Sequence, residues 1–364
     1  MNTASVDNAA LLTTIDRVAT AFSRLRGIKE GLVTDDAASG IQFDEWDWEV
    51  GVGLYGFLRR AISANDHKAL EELVAWYSAQ IERGLPPRQI NSTAPMLPLA
   101  ILVEHVDRPD FRALVEDWAD WLIMELPKTE EGGFQHVVKE RLNDGELWDD
   151  TLFMACLFLA RAGVLCERND WVDEAVYQFV IHTRYLSDPV TGLWYHGWTF
   201  NGRHNFASAF WARGNAWITV AIPELFDLVP TLGEKDRRYL SNVLVSQVRS
   251  LKVYQRPDGM FTTLLDDPSS PIETSATAGI AYGILRAIDA GILDESDRVH
   301  AERALKAVMA QIDDEGVVHG VSDGTPMGHD LDFYRRIPNL PTPYGQALTM
   351  LLLTEVLIEG GRRQ

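Results

Sequence analysis

The sequence predicts an all-α fold, an (α/α)6 barrel, on three observations. Apolar residues recur at helical spacing along almost the whole chain, helices with one charged face alternate with helices that carry little charge, and the longest loops precede the second kind.

Taken in order, the apolar-periodic segments span 10–26, 45–62, 66–83, 94–106, 109–125, 150–164, 170–186, 213–229, 235–254, 274–290, 296–312 and 343–359. That is about twelve helices, with no strand-rich region. Local punctuation sets many boundaries: Gly84-Leu85-Pro86-Pro87 ends one helix, Asp107-Arg108-Pro109 opens another, and Asp188-Pro189-Val190-Thr191-Gly192 is a turn. The segments at 66–83, 109–125, 170–186, 235–254 and 296–312 carry charge on one face; in 109–125, Leu114, Val115, Trp118 and Leu122 oppose Glu116, Asp117 and Asp120. The intervening segments are rich in Ala, Gly and Leu, as in Thr277-Ala278-Gly279-Ile280-Ala281-Tyr282-Gly283-Ile284. An amphipathic helix lies outside and a helix apolar on most sides is enclosed, so the alternation describes the outer and inner rings of a toroid of hairpins. In such a toroid the loops entering the inner helices converge at one end. Here those loops, 126–149, 187–212, 255–273 and 313–342, are long and aromatic, and loops of this length in a compact domain are usually functional.

Composition narrows the partners. The 364 residues, 46% of them hydrophobic, suffice for a large core, and no Pro/Ser-rich tract or block of like charge divides them, so one domain over 1–364 is expected. The net charge of -20 argues against nucleic acid or an anionic membrane surface as partner. It also requires that an anionic substrate be held by a local basic cluster. The two cysteines, Cys156 and Cys166, read as free thiols in a reducing compartment. The start, Met1-Asn2-Thr3-Ala4-Ser5-Val6-Asp7, lacks the basic and apolar regions of a leader, and no apolar run approaches the ~18 residues of a membrane span. The expectation is a cytoplasmic protein, monomeric or weakly self-associating.

The chemistry concentrates in the loops. Trp148-Asp149-Asp150-Thr151-Leu152-Phe153-Met154 sets adjacent carboxylates at the mouth of an apolar helix, directly after an indole. A titrating acid needs such a rigid, semi-dry mount, yet Asp before an apolar run is also a standard helix cap. The same loop holds His136 in Gly132-Gly133-Phe134-Gln135-His136, a surface residue or a donor to a hydroxyl or carboxylate. From Gly192 to Trp217 the chain packs four Trp, two His, two Arg and three Asn, including Tyr195-His196-Gly197-Trp198 and Trp211-Ala212-Arg213-Gly214-Asn215-Ala216-Trp217. Flat aromatic faces suit pyranose rings and Arg suits a carboxylate; the competing reading makes these Trp residues core fillers. Trp211 and Asn215 share one helical face, Arg213 and Trp217 another. Glu273-Thr274 has the form of a helix start, and the Gly-rich loop to His329 is placed to close over a site. There is no paired-Cys motif, His-Glu-x-x-His, phosphate-binding glycine pattern or Gly-x-Ser-x-Gly elbow, so no metal or cofactor is expected. Carboxylate chemistry on a carbohydrate is the class that remains.

At these residues the chain resembles the unsaturated rhamnogalacturonyl hydrolases of glycoside hydrolase family 105, related to the unsaturated glucuronyl hydrolases of family 88. The likeness rests on Trp148-x-Asp150-x-x-x-Met154, Tyr195-His196-Gly197-Trp198, Trp211-x-Arg213-Gly214-Asn215-x-Trp217, Glu273-Thr274-Ser275-Ala276-Thr277-Ala278 and the loop before His329, over residues 40–358. It implies the barrel described above and a small anionic oligosaccharide substrate ending in a uronic acid with a C4=C5 double bond. It makes Asp150 the proton donor and the base that activates water. His196, Trp211, Arg213 and Trp217 correspond to sugar- and carboxylate-binding positions, and Trp148 and Met154 to walls of the pocket. Trp48, Asn91, His136, Asp149, Asn215 and His329 complete the expected substrate-binding set. Many relatives carry a second acidic residue where this chain reads Arg88-Gln89-Ile90-Asn91-Ser92-Thr93-Ala94-Pro95, leaving Asn91 as the candidate there, and Val137 stands where some have Lys, with Lys139 nearby.

An Asp at its ordinary pKa of about 3.9 is too acidic for this role, so desolvation by Trp148 and Met154, with a like charge from Asp149 or substrate, is expected to raise Asp150. Two rival functions stand beside this one. An aldose–ketose isomerase or epimerase on the same barrel would use His196, His204 and His329, and a non-catalytic sugar-binding protein would bind without turnover.

Overall fold

The structure is a computed structural model that describes residues 8–25 and 43–362. Met1–Asp7, where no leader was expected, lies outside the described residues. In chain order the helices are α1 (Asn8–Arg24), α2 (Trp48–Ser63), α3 (His67–Arg83), α4 (Ile90–Thr93), α5 (Met96–Leu102), α6 (Pro109–Met124), α7 (Leu157–Leu165), α8 (Asn169–Leu186), α9 (Ala212–Leu228), α10 (Glu234–Tyr254), α11 (Thr274–Asp289), α12 (Arg298–Met309), α13 (Leu331–Arg335) and α14 (Pro343–Arg362). Two short strands, β1 (Glu146–Trp148) and β2 (Gly197–Thr199), pair antiparallel.

The expected alternation is the architecture. α2, α5, α7, α9, α11 and α14 pack each against the next, and α14 returns to α2, so the inner ring closes. α1, α3, α6, α8, α10 and α12 pack outside it, against α14, α2, α5, α7, α9 and α11 respectively. Their sequences explain the division. α10 buries only Leu240, Leu244, Gln247, Val248 and Leu251, a single stripe, whereas α9 is buried continuously from Ala212 to Phe226. Inner helices must also approach closely. A Cβ on Gly283 of α11 would stand 2.4 Å from the Thr219 carbonyl oxygen of α9, so only glycine permits that crossing.

Some boundaries differ from expectation, each for a local reason. The segment expected at 94–106 shortens to α5, Met96–Leu102, and a separate turn not expected there, α4 at Ile90–Thr93, ends before Pro95, which donates no N–H to continue the ladder. The segment expected from 150 begins as a π turn over Leu152–Cys156, closed by Leu157 N–H donating to the Leu152 carbonyl. α13, inside a segment expected as loop, is capped by Asp330, whose carboxylate accepts from Phe333 N–H.

At the C-terminal halves of the inner helices the axis is filled by a buried ionic network. Glu224 of α9 accepts from the Tyr55 and Tyr282 hydroxyls and, at 3.1 Å, from Arg286 Nε. Arg59 Nη2 donates to Glu355 at 2.8 Å and lies 3.5 Å from Glu224 through Nη1. Burial alone would raise the Glu224 carboxyl, but Arg59, Arg286 and the two hydroxyls hold it down at about 2. Its stabilising contribution is therefore complete above pH ~4.5 and lost as pH falls through about 2. Replacing Glu224 by Ala leaves Arg59 and Arg286 to share only Glu355 and the exposed Asp227 and deprives the Tyr55 and Tyr282 hydroxyls of their acceptor, and is expected to cost about 3–5 kcal/mol. Urea unfolding at neutral pH measures this; a loss well under about 1 kcal/mol would show the network to be dispensable.

Candidate active site

The N-terminal ends of the inner helices carry the long loops, and the backbone stitches these loops into one rim. β1 joins the 126–149 loop to β2 of the 187–212 loop, with Trp148 opposite Gly197. Asp149 N–H donates to the His196 carbonyl and His196 N–H to the Ala209 carbonyl. Ala212 N–H donates to Thr263, which ties in the 255–273 loop, and Thr274 N–H donates to Gly320, which ties in the 313–342 loop. The last loop does lie across the rim: a Cβ on Gly197 would meet the Met327 methyl at 2.2 Å.

Asp149 and Asp150 are not equivalent. Neither side chain caps the helix that follows. Asp149 is 0% exposed, and a Cβ on Gly214 would stand 1.9 Å from its Oδ2, so its carboxyl is pressed against bare backbone of α9. Asp150 retains access to solvent, with its side chain 16% exposed and its Oδ1 3.4 Å from His136 Nδ1. Burial raises Asp150 to about 7, against the pull of Arg213 and nearby backbone N–H groups. Burial first, and then the charge of Asp150, raise Asp149 well above the carboxylate range. The expected elevation of Asp150 is present, but the like-charge part of the expectation acts on Asp149 instead.

Two neutral imidazoles flank the indole of Trp148. His136 stacks on it, with ring centres 4.3 Å apart and planes 7° from parallel, and His196 meets its edge at 5.3 Å. Trp148 Nε1 donates to Glu146 at 2.8 Å, which fixes the indole. Burial lowers His136 to about 3 and His196 well below its usual range. His136 is buried rather than on the surface, with Nδ1 2.8 Å from Thr151 Oγ1. His196 Nδ1 lies 2.7 Å from the Tyr334 hydroxyl.

Several expected contacts are already taken within the protein. Arg213 donates through Nη1 to Ser322 O and Oγ and through Nη2 to Asp323 O and Thr325 Oγ1, all within 3.0 Å. It anchors the 313–342 loop, so the expected bidentate grip on a substrate carboxylate is corrected; its Nε is buried without a partner. Asn215 is corrected likewise. Its Oδ1 accepts from Trp194 N–H and Gln247, its Nδ2 donates to Trp194 O and Trp211 O, and no polar atom is left for substrate. Trp211 is held between His196, 4.2 Å away, and the Arg213 guanidinium at 4.6 Å. Trp217 is 1% exposed against Phe153, and Met154 is equally buried. Stacking on a sugar needs a free face, so Trp211 and Trp217 back the pocket rather than present a plate. Trp48 is half-buried, stacked at 4.8 Å on Tyr344. Asn91 is half-buried on α4, which packs against the π turn. His329 and His204 are exposed on the rim beside Phe206, apart from buried His196, so the three do not form the set that an isomerase would use.

The sequence did not single out Glu49, Ser322 or Tyr334. Glu49 is 5% exposed with Oε2 unpartnered, in the electrostatic reach of Arg213 and Asp323, and burial raises it well above the usual range. A carboxylate in an inner helix's first turn was the available signal. Glu273 caps α11 as its position suggested, accepting from Ala276 N–H, and it also accepts from Ser275 Oγ, Ser322 N–H and Ser322 Oγ. Among the described residues no three His, Cys, Asp or Glu side chains are placed to hold a metal ion. No described helix is long and apolar enough to cross a membrane.

A family model described as Glycosyl Hydrolase Family 88 matches residues 30–358. The chain belongs to glycoside hydrolase family 88. Within that grouping it is similar to the unsaturated rhamnogalacturonyl hydrolase YesR of Bacillus subtilis (strain 168), 30% identical over 315 residues, covering 86% of this chain and 90% of YesR. A crystal structure from Salmonella enterica serovar Paratyphi A, described as a possible member of the GH105 family, matches with TM-score 0.93 at 39% identity, covering 98% of this chain and 96% of that one. The unsaturated glucuronyl hydrolase of Bacillus sp. GL1 shares the fold, with TM-score 0.72 at 18% identity, covering 95% of this chain and 96% of that one.

In this family 88 chain the raised Asp150 has a measurable cost. Between pH ~3.8 and about 7 the folded protein retains a proton that the unfolded chain releases, so stability falls as pH rises through that window. Asp150→Asn removes the penalty. Its unfolding free energy is expected to exceed the wild-type value at pH 8 by on the order of a few kcal/mol, seen as a higher melting temperature, and the gain is expected to vanish toward pH 4. Melting curves at both pH values decide; equal gains at each would show that Asp150 ionises normally.

Proposed function

We propose that this chain is an unsaturated-uronyl glycoside hydrolase that removes a 4,5-unsaturated uronic acid, galacturonate linked to rhamnose, from the non-reducing end of short lyase-generated pectic oligosaccharides. The observation that carries this is Asp150: a partly exposed carboxyl, beside aromatic walls, held at about 7 by burial. Membership of family 88 and the likeness to YesR support the same class of reaction.

An ordinary glycosidase sets two carboxyl groups on opposite faces of the scissile bond. A vinyl ether needs one. Asp150 gives its proton to C4, the C4=C5 electron pair forms that bond, and positive charge develops at C5, shared with the ring oxygen. Water adds to C5 and its proton returns to the Asp150 carboxylate. The hemiketal then opens and the aglycone sugar leaves. Asp149, facing Gly214, takes no part on the opposite side of the bond. Arg213 acts by its field on the substrate carboxylate, and half-buried Trp48 and rim His329 bound the mouth.

Incubation with lyase-generated oligosaccharides, followed by the ultraviolet absorbance of the conjugated double bond, tests the proposal. Wild type is expected to bleach the signal and Asp150→Asn to lose at least about a thousandfold in rate, within the range of general acid–base catalysis. No bleaching on any unsaturated uronide refutes the reading. Because the acid must be protonated, kcat is expected to decline as pH rises through about 7. An alkaline limb that persists in Asp150→Asn would assign that titration to another group.

A further inference from the structure

We infer that Tyr334 is a positioning residue that fixes the tautomer of His196, so that His196 presents Nε2–H as a hydrogen-bond donor to a substrate oxygen. The tautomer follows from hydrogen-bond geometry and burial; the identity of the acceptor rests on the unsaturated-uronide reading.

A tyrosine hydroxyl has one proton to give. Tyr334 Oη accepts the Gly328 N–H at 3.2 Å and has two other neighbours, His196 Nδ1 at 2.7 Å and Met327 Sδ at 3.9 Å. An imidazole nitrogen is a far stronger acceptor than a thioether, and it is much the closer, so the proton points to Nδ1. Nδ1 is then bare. Burial keeps the ring neutral, so its single proton resides on Nε2. The ring cannot swing to exchange the two nitrogens. His196 is pinned by its own backbone bonds to Asp149 and Ala209, and its ring is wedged between Trp148 and Trp211.

Nε2 itself is buried and has no partner. An unmet buried N–H is costly, and such a group persists where a ligand supplies the missing acceptor. His136 makes the contrast. Its Nδ1 has two neighbours, Thr151 Oγ1 at 2.8 Å, a hydroxyl that can give or accept, and Asp150 Oδ1 at 3.4 Å, so its tautomer is not set in the same way.

Tyr334 belongs to α13 in the 313–342 loop, the loop that Arg213 and Glu273 hold. Docking of that loop and correct orientation of the His196 donor are thus one event. A purely structural Tyr334 would fill space but leave the proton on either nitrogen.

The test uses full-length protein labelled with 15N-histidine, with His196 assigned by comparison with His196→Ala. Two-bond proton–nitrogen spectra of the wild type are expected to show a bare Nδ1 and a protonated Nε2, and Tyr334→Phe to show exchange between tautomers. A protonated Nδ1 in the wild type overturns the inference without any variant. In kinetics, Tyr334→Phe is expected to lower kcat/KM ten- to a hundredfold in the wild-type background and less than twofold in His196→Ala. An equal loss in both backgrounds, or no loss when the tautomer has shifted, overturns it. If wild type turns over no unsaturated uronide, the proposed function fails, while the nitrogen spectrum still decides the tautomer.

Discussion

The site depends on one buried carboxylate, Glu273. It caps α11, and at the same time it accepts from the backbone and hydroxyl of Ser322, forty-nine residues further along the chain. Arg213 stands 3.6 Å away and grips the same stretch through Ser322, Asp323 and Thr325. An anion and a cation that are each 0–1% exposed are costly to bury apart, and here they satisfy one another through the loop they hold. With that loop come Met327 over Gly197 and Tyr334 onto His196. Arg213 in turn backs Trp211, and Trp211 backs His196. The pocket walls are therefore set by a hydrogen-bonded hub more than by apolar packing.

The electrostatics answer a difficulty posed by the composition. A chain of net charge -20 was expected to need a basic cluster to hold an anionic ligand. The described site offers Arg213 and little else of that sign close by. What it does instead is withdraw negative charge. Burial raises Asp47 to about 6 and Asp150 to about 7, and Glu49, Asp149 and Asp323 are raised as well. Acids that keep their protons add no negative charge of their own beside the Arg213–Glu273 pair, which softens the repulsion an incoming carboxylate would meet.

Much of the fold could be seen in the chain beforehand, because inner and outer helices differ in how many of their faces are apolar, and that is a local property. Asp150 was visible for a similar reason: an indole, an acid and an apolar helix are adjacent in sequence. What escaped was set by distant partners. Asn215 sits in the expected cluster, yet its amide is spent bracing Trp194 and Trp211. Arg213 has the chemistry of a carboxylate ligand, but the loop that occupies it lies 109 residues away. Tyr334 stands in a stretch with no aromatic pattern to mark it, and its role appears only once that stretch folds back on His196. The π turn after Asp150 has no composition signal either, since it differs from an α turn by one residue in the bonding ladder.

The ionic network around Glu224 has a geometric consequence. It lies about 18 Å along the inner helices from their loop-bearing ends, and with Tyr55, Tyr282 and Glu355 it fills the axis with side chains that are 0–1% exposed. The barrel is thus a cup and not a tube. Nothing can be threaded through it, so a ligand can enter only from the loop-bearing rim. Whatever leaves Asp150 must back out past the rim that admitted it.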